Sequence, residues 1–356
     1  MVEVTDVTFT RNLPDTYGDA HPKELLRQII EDADYLRPLA NQHIISADQF
    51  RRETLFQLFR LAAKYESNPS RFSTPLQGKI LISAFYEPST RTRLSFESAW
   101  HRLGGDIMSI TDRSTTGIAK GESLSDVGEM FNNYGDCVVL RDSREASLYE
   151  MKESLRIPII NAGNGIDEHP TQALADIYTI FKWRPNLVKR RSASSARLRM
   201  GIIGVPDRMR TVRSLLKILL KFPEIFTHIY LIHDNGEKDI FGDRLREQIT
   251  EAGITVEETH DLNAVLPELD IVYINAIAWV KDNYESYGKS FRLDRRSPLK
   301  SSAIILHPLA RGEELSPELD ETQHNWYFSQ ARGAVFLRMA LLTCLVQRTE
   351  RVMDVV

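Results

Sequence analysis

At 356 residues the chain is longer than one hydrophobic core usually serves, so two domains are expected, and 42% hydrophobic with 26% charged residues excludes a disordered or fibrous protein. A net charge of -4 excludes a general nucleic-acid binder, whose backbone contacts need a basic surface, so any anion must be held by local arginines. Cys137 and Cys344 lie far apart in apolar runs without metal-ligand spacing, Met1–Pro14 has no apolar leader, and no run of about 18 apolar residues occurs. The reading is a cytoplasmic protein with no metal, no disulfide and no membrane span.

Residues 1–22 carry Pro14, Gly18 and Pro22 among polar residues and form an irregular lead-in. Leu25, Leu26, Ile29, Ile30, Ala33 and Leu36 recur at helical spacing, which predicts a helix over 21–39 within an N-terminal extension, residues 1–40. A second helix is predicted from Ser46 to Tyr65, with Leu55, Leu58, Phe59 and Ala62 as its core stripe. After Pro69 and Pro75 the pattern alternates: strands at 79–86, 106–111, 137–141 and 157–161, helices at 90–103, 123–134, 144–154 and 169–183. Residues 183–195 break it with a basic, serine-rich run that reads as a solvated linker. Strands then follow at 198–204, 227–233, 254–258, 270–275 and 302–306, with helices at 209–222, 239–252 and 262–267. A last helix, 333–348, is apolar on most faces and must be buried against the first domain or between both. The fold class is α/β: two doubly wound parallel-sheet domains, residues 41–185 with 330–356 and residues 196–329, bridged by helices that include the C-terminal one.

Ligands of open α/β sheets bind at the carboxyl ends of strands. The run Ile80–Phe85 leads into Glu87-Pro88-Ser89-Thr90-Arg91-Thr92-Arg93, where Ser89 or Thr90 caps a helix. Free N–H groups, hydroxyls and the Arg91 guanidinium suit phosphate there, although by itself the turn reads equally well as a capped helix with surface arginines. Arg141 follows the third strand, and Asn161-Ala162-Gly163-Asn164-Gly165 with His169-Pro170-Thr171-Gln172 follows the fourth. In the second half the matching segments are Asp207-Arg208-Met209-Arg210-Thr211 and His307-Pro308-Leu309-Ala310-Arg311. The loop 112–125, with Thr116, Gly117, Lys120 and Gly121, reads by spacing as a flexible surface loop and is not a P-loop.

Taken together and in order, Ser89-Thr90-Arg91-Thr92-Arg93, Lys120-Gly121-Glu122-Ser123-Leu124, Asn161-Ala162-Gly163-x-Gly165, His169-Pro170-Thr171-Gln172 and His307-Pro308-Leu309 resemble the aspartate/ornithine carbamoyltransferases over residues 41–348. Lys120-Gly121-Glu122 and Trp326-Tyr327-Phe328 with Gln330-Ala331 are similar to the aspartate branch. The resemblance implies a carbamoyl-phosphate domain and an acceptor domain, and transfer of the carbamoyl group to an amino-acid amine with release of phosphate, without cofactor or metal. It implies that Ser89, Thr90, Arg91 and Thr92 hold the phosphate with Arg141 beside it. His169 and Gln172 would address the carbamoyl group, whose carbonyl oxygen Arg141 and Thr92 also reach. Lys120, with Thr116 where the family usually has serine, would enter from a neighbouring subunit, which implies a homotrimer with shared active sites and leaves higher assembly open. Arg210 would bind the acceptor's α-carboxylate, and the carbonyl of Leu309 would orient the substrate. Physically, donors fixed around the growing negative charge and two substrates held together suffice for this chemistry, with domain closure as the gate.

Three departures from the aspartate branch stand out, two of them in the acceptor half. Ala276 and Ala278 stand where the aspartate branch has an arginine and a glutamine, Ala310 stands where a proline usually follows His-Pro-Leu, and Asp142 stands where that branch has histidine. A methyl group cannot bind a carboxylate, and leaving one buried and unpaired costs ~2–5 kcal/mol. L-aspartate is therefore expected to be a poor acceptor, and an amino acid with a neutral or smaller remainder a better one, with Trp279 or Lys281 lining its pocket. One alternative is a true aspartate carbamoyltransferase of pyrimidine synthesis in which Arg208 or Lys281 replaces the clamp. Another is a non-catalytic paralogue acting as a binding or assembly partner, against which the full set Arg91, Arg141, His169, Gln172 and Lys120 speaks. A nucleotide-binding protein is disfavoured because Gly201-x-x-Gly204 runs into Val205-Pro206.

Overall fold

Short β-branched runs separated by helix-forming segments build two all-parallel sheets in the computed structural model, which describes residues 20–69, 73–189, 197–234, 239–275 and 291–346. The first sheet contains β1 (Ile80–Phe85), β2 (Asp106–Ile110), β3 (Cys137–Asp142) and β4 (Ile159–Asn164) in the order β2-β1-β3-β4. The chain winds outward from β1 to β2, then returns to pair β3 with the other side of β1, so the strand order reverses between β1 and β3. The inner strands are buried along nearly their whole length because helices cover both faces, while β2 is an exposed edge. The helices around this sheet are α2 (Arg52–Ser67), α3 (Thr90–Arg102), α4 (Leu124–Tyr134), α5 (Ala146–Lys152) and α6 (Pro170–Trp183).

The second sheet contains β5 (Leu198–Ile203), β6 (Phe226–Ile232), β7 (Thr255–Thr259), β8 (Ile271–Ile274) and β9 (Ile304–Leu306) in the order β7-β6-β5-β8-β9. Its reversal lies between β5 and β8. Helices α7 (Arg210–Leu219), α8 (Asp243–Ala252) and α9 (Leu262–Val265) belong to this half. Helix α7 packs against α6, which joins the two halves through their cores.

Three helices differ by more than four residues from the sequence expectation. The first, α1 (Pro22–Gln28), stops early, and a separate 3-10 turn follows because Asp32 caps it by accepting from the Asp34 N–H. The second begins at Arg52, since Ser46 and Gln49 close a capping box around their own turn, Ala47–Gln49. The last, α10 (Tyr327–Val346), starts six residues before Gly333. Gly333 is a packing position: a Cβ there would lie 2.7 Å from Lys182 Nζ, so glycine lets α10 approach α6 closely. By length and mean hydropathy this 20-residue helix could cross a membrane, but Gln330, Arg332 and Arg338 interrupt its apolar run and 78% of its apolar window is buried, as in a core helix. It packs against α2, α3 and α6, returning the chain to the first sheet's side.

Candidate active site

The β1–α3 turn places Ser89 at the N-cap of α3 without a capping bond from its side chain, so the first-turn N–H groups are not taken up by its hydroxyl. Across the strand reversal, Arg141 near the end of β3 donates from Nη2 to Glu87 Oε1 at 2.8 Å and from Nη1 to the Ala162 carbonyl at 3.5 Å. Burial pushes the Arg141 pKa down to about 10, helped by the positive charge of Arg210, while Glu87 opposes the shift. Arg210, the first residue of α7, donates to both Glu87 oxygens at 3.1 and 3.3 Å and to the Gly165 carbonyl at 2.6 Å. One carboxylate therefore ties together arginines from the two halves. Although burial works against it, Arg210 and Arg141 hold the Glu87 carboxyl below its ordinary range.

Sequence reasoning assigned Glu87 no role. A signal was present: an acid two residues before an anion-binding turn repels the anion unless it is paired. Gly163 is also required here. Its φ is +111°, and a Cβ would stand 3.1 Å from Arg210 Cζ and 3.3 Å from Arg141 Nη1.

His169 is the N-cap of α6, only 3% exposed, and its N–H donates to Ser214 Oγ on α7 at 2.9 Å. Burial, then Arg141, Arg210 and Arg338, hold its pKa well below 6.5, so the ring is neutral at physiological pH. The preceding residue, Glu168, accepts from Ser46 Oγ at 2.6 Å, the Ala47 N–H at 2.8 Å and Lys217 Nζ at 2.7 Å. Lys217 also reaches Asp48 at 2.8 Å, and the network fixes α7 against the turn that carries His169. Leu309 has φ +55°, its N–H donates to His307 Nδ1 at 2.7 Å, and the Leu309–Ala310 peptide is cis.

These residues open onto one cleft of about 870 Å³ between the two sheets. Ser89, Thr90, Arg91, Thr92, Arg141, His169, Gln172, Arg210 and Leu309 all line it. Glu145, Ile166, Met209 and Asn275 line it as well and had not been singled out as site residues. Thr116 and Lys120 do not reach the cleft of their own chain; Lys120 is exposed at the end of the 3-10 turn Gly117–Lys120. Ala310 is exposed beside Leu309. Ala276 and Ala278, with Trp279 and Lys281, lie outside the described residues. Among the described residues, no three His, Cys, Asp or Glu side chains are grouped to hold a metal ion.

The carbamoyl-P binding domain of the aspartate/ornithine carbamoyltransferases matches residues 42–182, and the Asp/Orn binding domain of the same proteins matches residues 197–345. The chain belongs to the aspartate/ornithine carbamoyltransferase family. It is 37% identical over 315 residues to the aspartate carbamoyltransferase catalytic subunit of Methanopyrus kandleri, covering 86% of this chain and 98% of that one. To the catalytic subunit of Sulfolobus acidocaldarius it is 38% identical, covering 85% and 98%. A crystal structure of Trypanosoma cruzi aspartate transcarbamoylase with carbamoyl phosphate and aspartate superposes with a TM-score of 0.79 at 30% identity, covering 87% and 98%. The chain is thus a transferase of the aspartate carbamoyltransferase type, with the family's two-domain α/β fold.

Proposed function

We propose that this carbamoyltransferase binds carbamoyl phosphate in the cleft, with the phosphate on the Ser89–Thr92 turn and Arg141, and transfers the carbamoyl group to an amino acid whose α-carboxylate pairs with Arg210. The observation that carries the reading is the convergence of Arg141 from β3 and Arg210 from the start of α7 on the single carboxylate of Glu87. That convergence supports reading the cleft as a donor site and an acceptor site side by side. An amine attacking the carbamoyl carbon pushes charge first onto the carbonyl oxygen and then onto the departing phosphate. Arg91, Arg141 and Thr92 are the fixed donors for both. Holding the two substrates together lowers the barrier independently. His169, being neutral, serves as a hydrogen-bonding group and not as an acid, and the departing phosphate is the base at hand for the amine proton.

The acceptor is proposed to be an α-amino acid other than L-aspartate. Ala276 and Ala278 supply no charge for a second carboxylate, and Ile166, 53% exposed, and Met209 give the described wall of the cleft an apolar part. The test is phosphate release from carbamoyl phosphate with a panel of amino acids and diamines. Phosphate and a carbamoylated amine should appear together. Release that no amine accelerates would remove the reading.

We also propose a homotrimer with shared sites. A second cavity of about 340 Å³ shares Thr90, Arg91, Thr92, Gln172 and Leu309 with the cleft, and Leu94 beside it is 50% exposed. A neighbouring chain's Thr116–Lys120 loop is the proposed occupant. Mixing inactive Arg91→Ala chains with inactive Lys120→Ala chains, after dissociation and reassembly, is expected to restore part of the activity; no recovery would mean that each chain completes its own site.

The neutral state of His169 has a consequence for stability. The unfolded chain takes up a proton on this ring below pH 6.5, whereas the folded chain does so only at much lower pH. Its contribution is present above pH 6.5 and is lost as pH falls, by up to ~1.4 kcal/mol per pH unit. Denaturant unfolding at pH 7.5, 6.5 and 5.5 should show His169→Asn losing less stability on acidification than the parent protein.

A further inference from the structure

We propose that Asp176 is a positioning residue, whose Oδ1 turns the Gln172 amide so that its carbonyl oxygen points into the cleft and accepts a hydrogen bond from the carbamoyl NH2. This inference rests on reading the cleft as a carbamoyl-phosphate site. Asp176 lies one turn beyond Gln172 on α6 and is fully buried. Its Oδ1 accepts from Gln172 Nε2 at 2.7 Å and, from the opposite side, from Gln330 Nε2 on α10 at 2.5 Å. A carboxylate offers only acceptors, so both amides must turn their NH2 groups toward it. Gln172 lines the cleft, and with its nitrogen committed, Oε1 is the atom left for a ligand.

The same carboxylate sets the other amide. With Nε2 held by Asp176, Gln330 Oε1 accepts from the His307 N–H at 2.8 Å, at the start of the segment that carries Leu309. Asp176 thus orients one side chain of the cleft directly and a second wall through the backbone. Phosphate has no NH2 group and carbamoyl phosphate has two N–H donors on one nitrogen. An acceptor fixed in this place separates the two ligands, whereas the Ser89–Thr92 turn binds what they share.

The groups facing Asp176 are Gln172 on its own helix, Gln330 and Arg338 from α10, and the Tyr273 ring from β8. Burial pushes its carboxyl up to about 7. A proton taken up on Oδ2 leaves Oδ1 accepting both amides, so the aim of Gln172 is the same in either protonation state. Asp176→Asn, with nitrogen in place of Oδ2, reproduces the protonated form. Asp176→Ser removes the oxygen from its position and frees the Gln172 amide to flip.

The test is calorimetric binding of carbamoyl phosphate and of inorganic phosphate, each without an acceptor, to the full-length protein and its variants. If the parent protein does not bind carbamoyl phosphate more tightly than phosphate, the reading of the cleft falls and this inference with it. If the parent discriminates, Asp176→Ser should lower the ratio of the two affinities about tenfold, the worth of one good hydrogen bond, with phosphate affinity unchanged. Asp176→Asn should keep the ratio, and Asp176→Ser should have no effect on it in a Gln172→Ala background. An unchanged ratio in Asp176→Ser, an equal fall in both affinities, or a loss in Asp176→Asn as large as in the serine variant overturns the proposal. Should the serine variant not fold, hydrogen exchange of the Gln172 Nε2 protons in the parent protein decides. Protection that persists when carbamoyl phosphate is added supports the assignment, and protection lost on addition overturns it.

Discussion

Replacing Arg141 by alanine is expected to lower kcat/KM for carbamoyl phosphate by about 10³-fold, measured by phosphate release at saturating acceptor. The side chain is 12% exposed, so its charge acts through little solvent, and it sits at the reversal between β1 and β3 where donors from two loops meet. Lysine should recover little, because the guanidinium holds Glu87 and the Ala162 carbonyl with different nitrogens, a geometry a single ammonium cannot copy. The fold should survive, since Glu87 keeps Arg210. A loss below tenfold would remove Arg141 from the reaction.

The largest stability effect is expected at Lys182. Its ammonium is fully buried and lies 2.9 Å from Glu66 Oε1, while the Tyr178 hydroxyl donates to Glu66 Oε2 at 2.7 Å. The pair joins α6 to α2 beneath α10, where Gly333 makes room for the lysine. Lys182→Met leaves the Glu66 carboxylate buried with the Tyr178 hydroxyl and, as its cation, the distant, half-exposed Arg332 at 3.9 Å, at a cost of ~3–5 kcal/mol. Thermal unfolding should fall by roughly 10 °C. Adding Glu66→Gln should recover part of the loss by removing the stranded charge. If Lys182→Met melts with the parent protein, the pair contributes nothing to the fold.

Much of this architecture is legible in the sequence because it depends on local pattern. The run Ile80–Phe85 is apolar apart from Ser83, and β1 and α3 lie within a residue of where the pattern puts them. The helix breaks at Asp32 and Ser46 were harder to see, since a short polar cap interrupts an apolar stripe that otherwise continues. The residues that support the site were not legible at all. Glu87 takes its meaning from Arg210, more than a hundred positions away; Asp176 takes its meaning from Gln330; and Ser214 serves by holding the His169 N–H. In sequence each is one polar residue in a loop or a helix. Thr116 and Lys120 had a role only through family resemblance, and one chain folded alone leaves them outside the cleft.

The donor half and the acceptor half of the cleft carry different expectations. The proposed donor residues follow the family's pattern, with Thr116 in place of its usual serine, while Ala276 and Ala278 stand where the resemblance implies an arginine and a glutamine. The most direct measurement is kcat/KM for L-aspartate beside neutral α-amino acids, at saturating carbamoyl phosphate and one pH. The missing clamp corresponds to ~2–5 kcal/mol, so aspartate should fall at least about 30-fold below the best neutral acceptor. Aspartate emerging as the best acceptor would contradict the account.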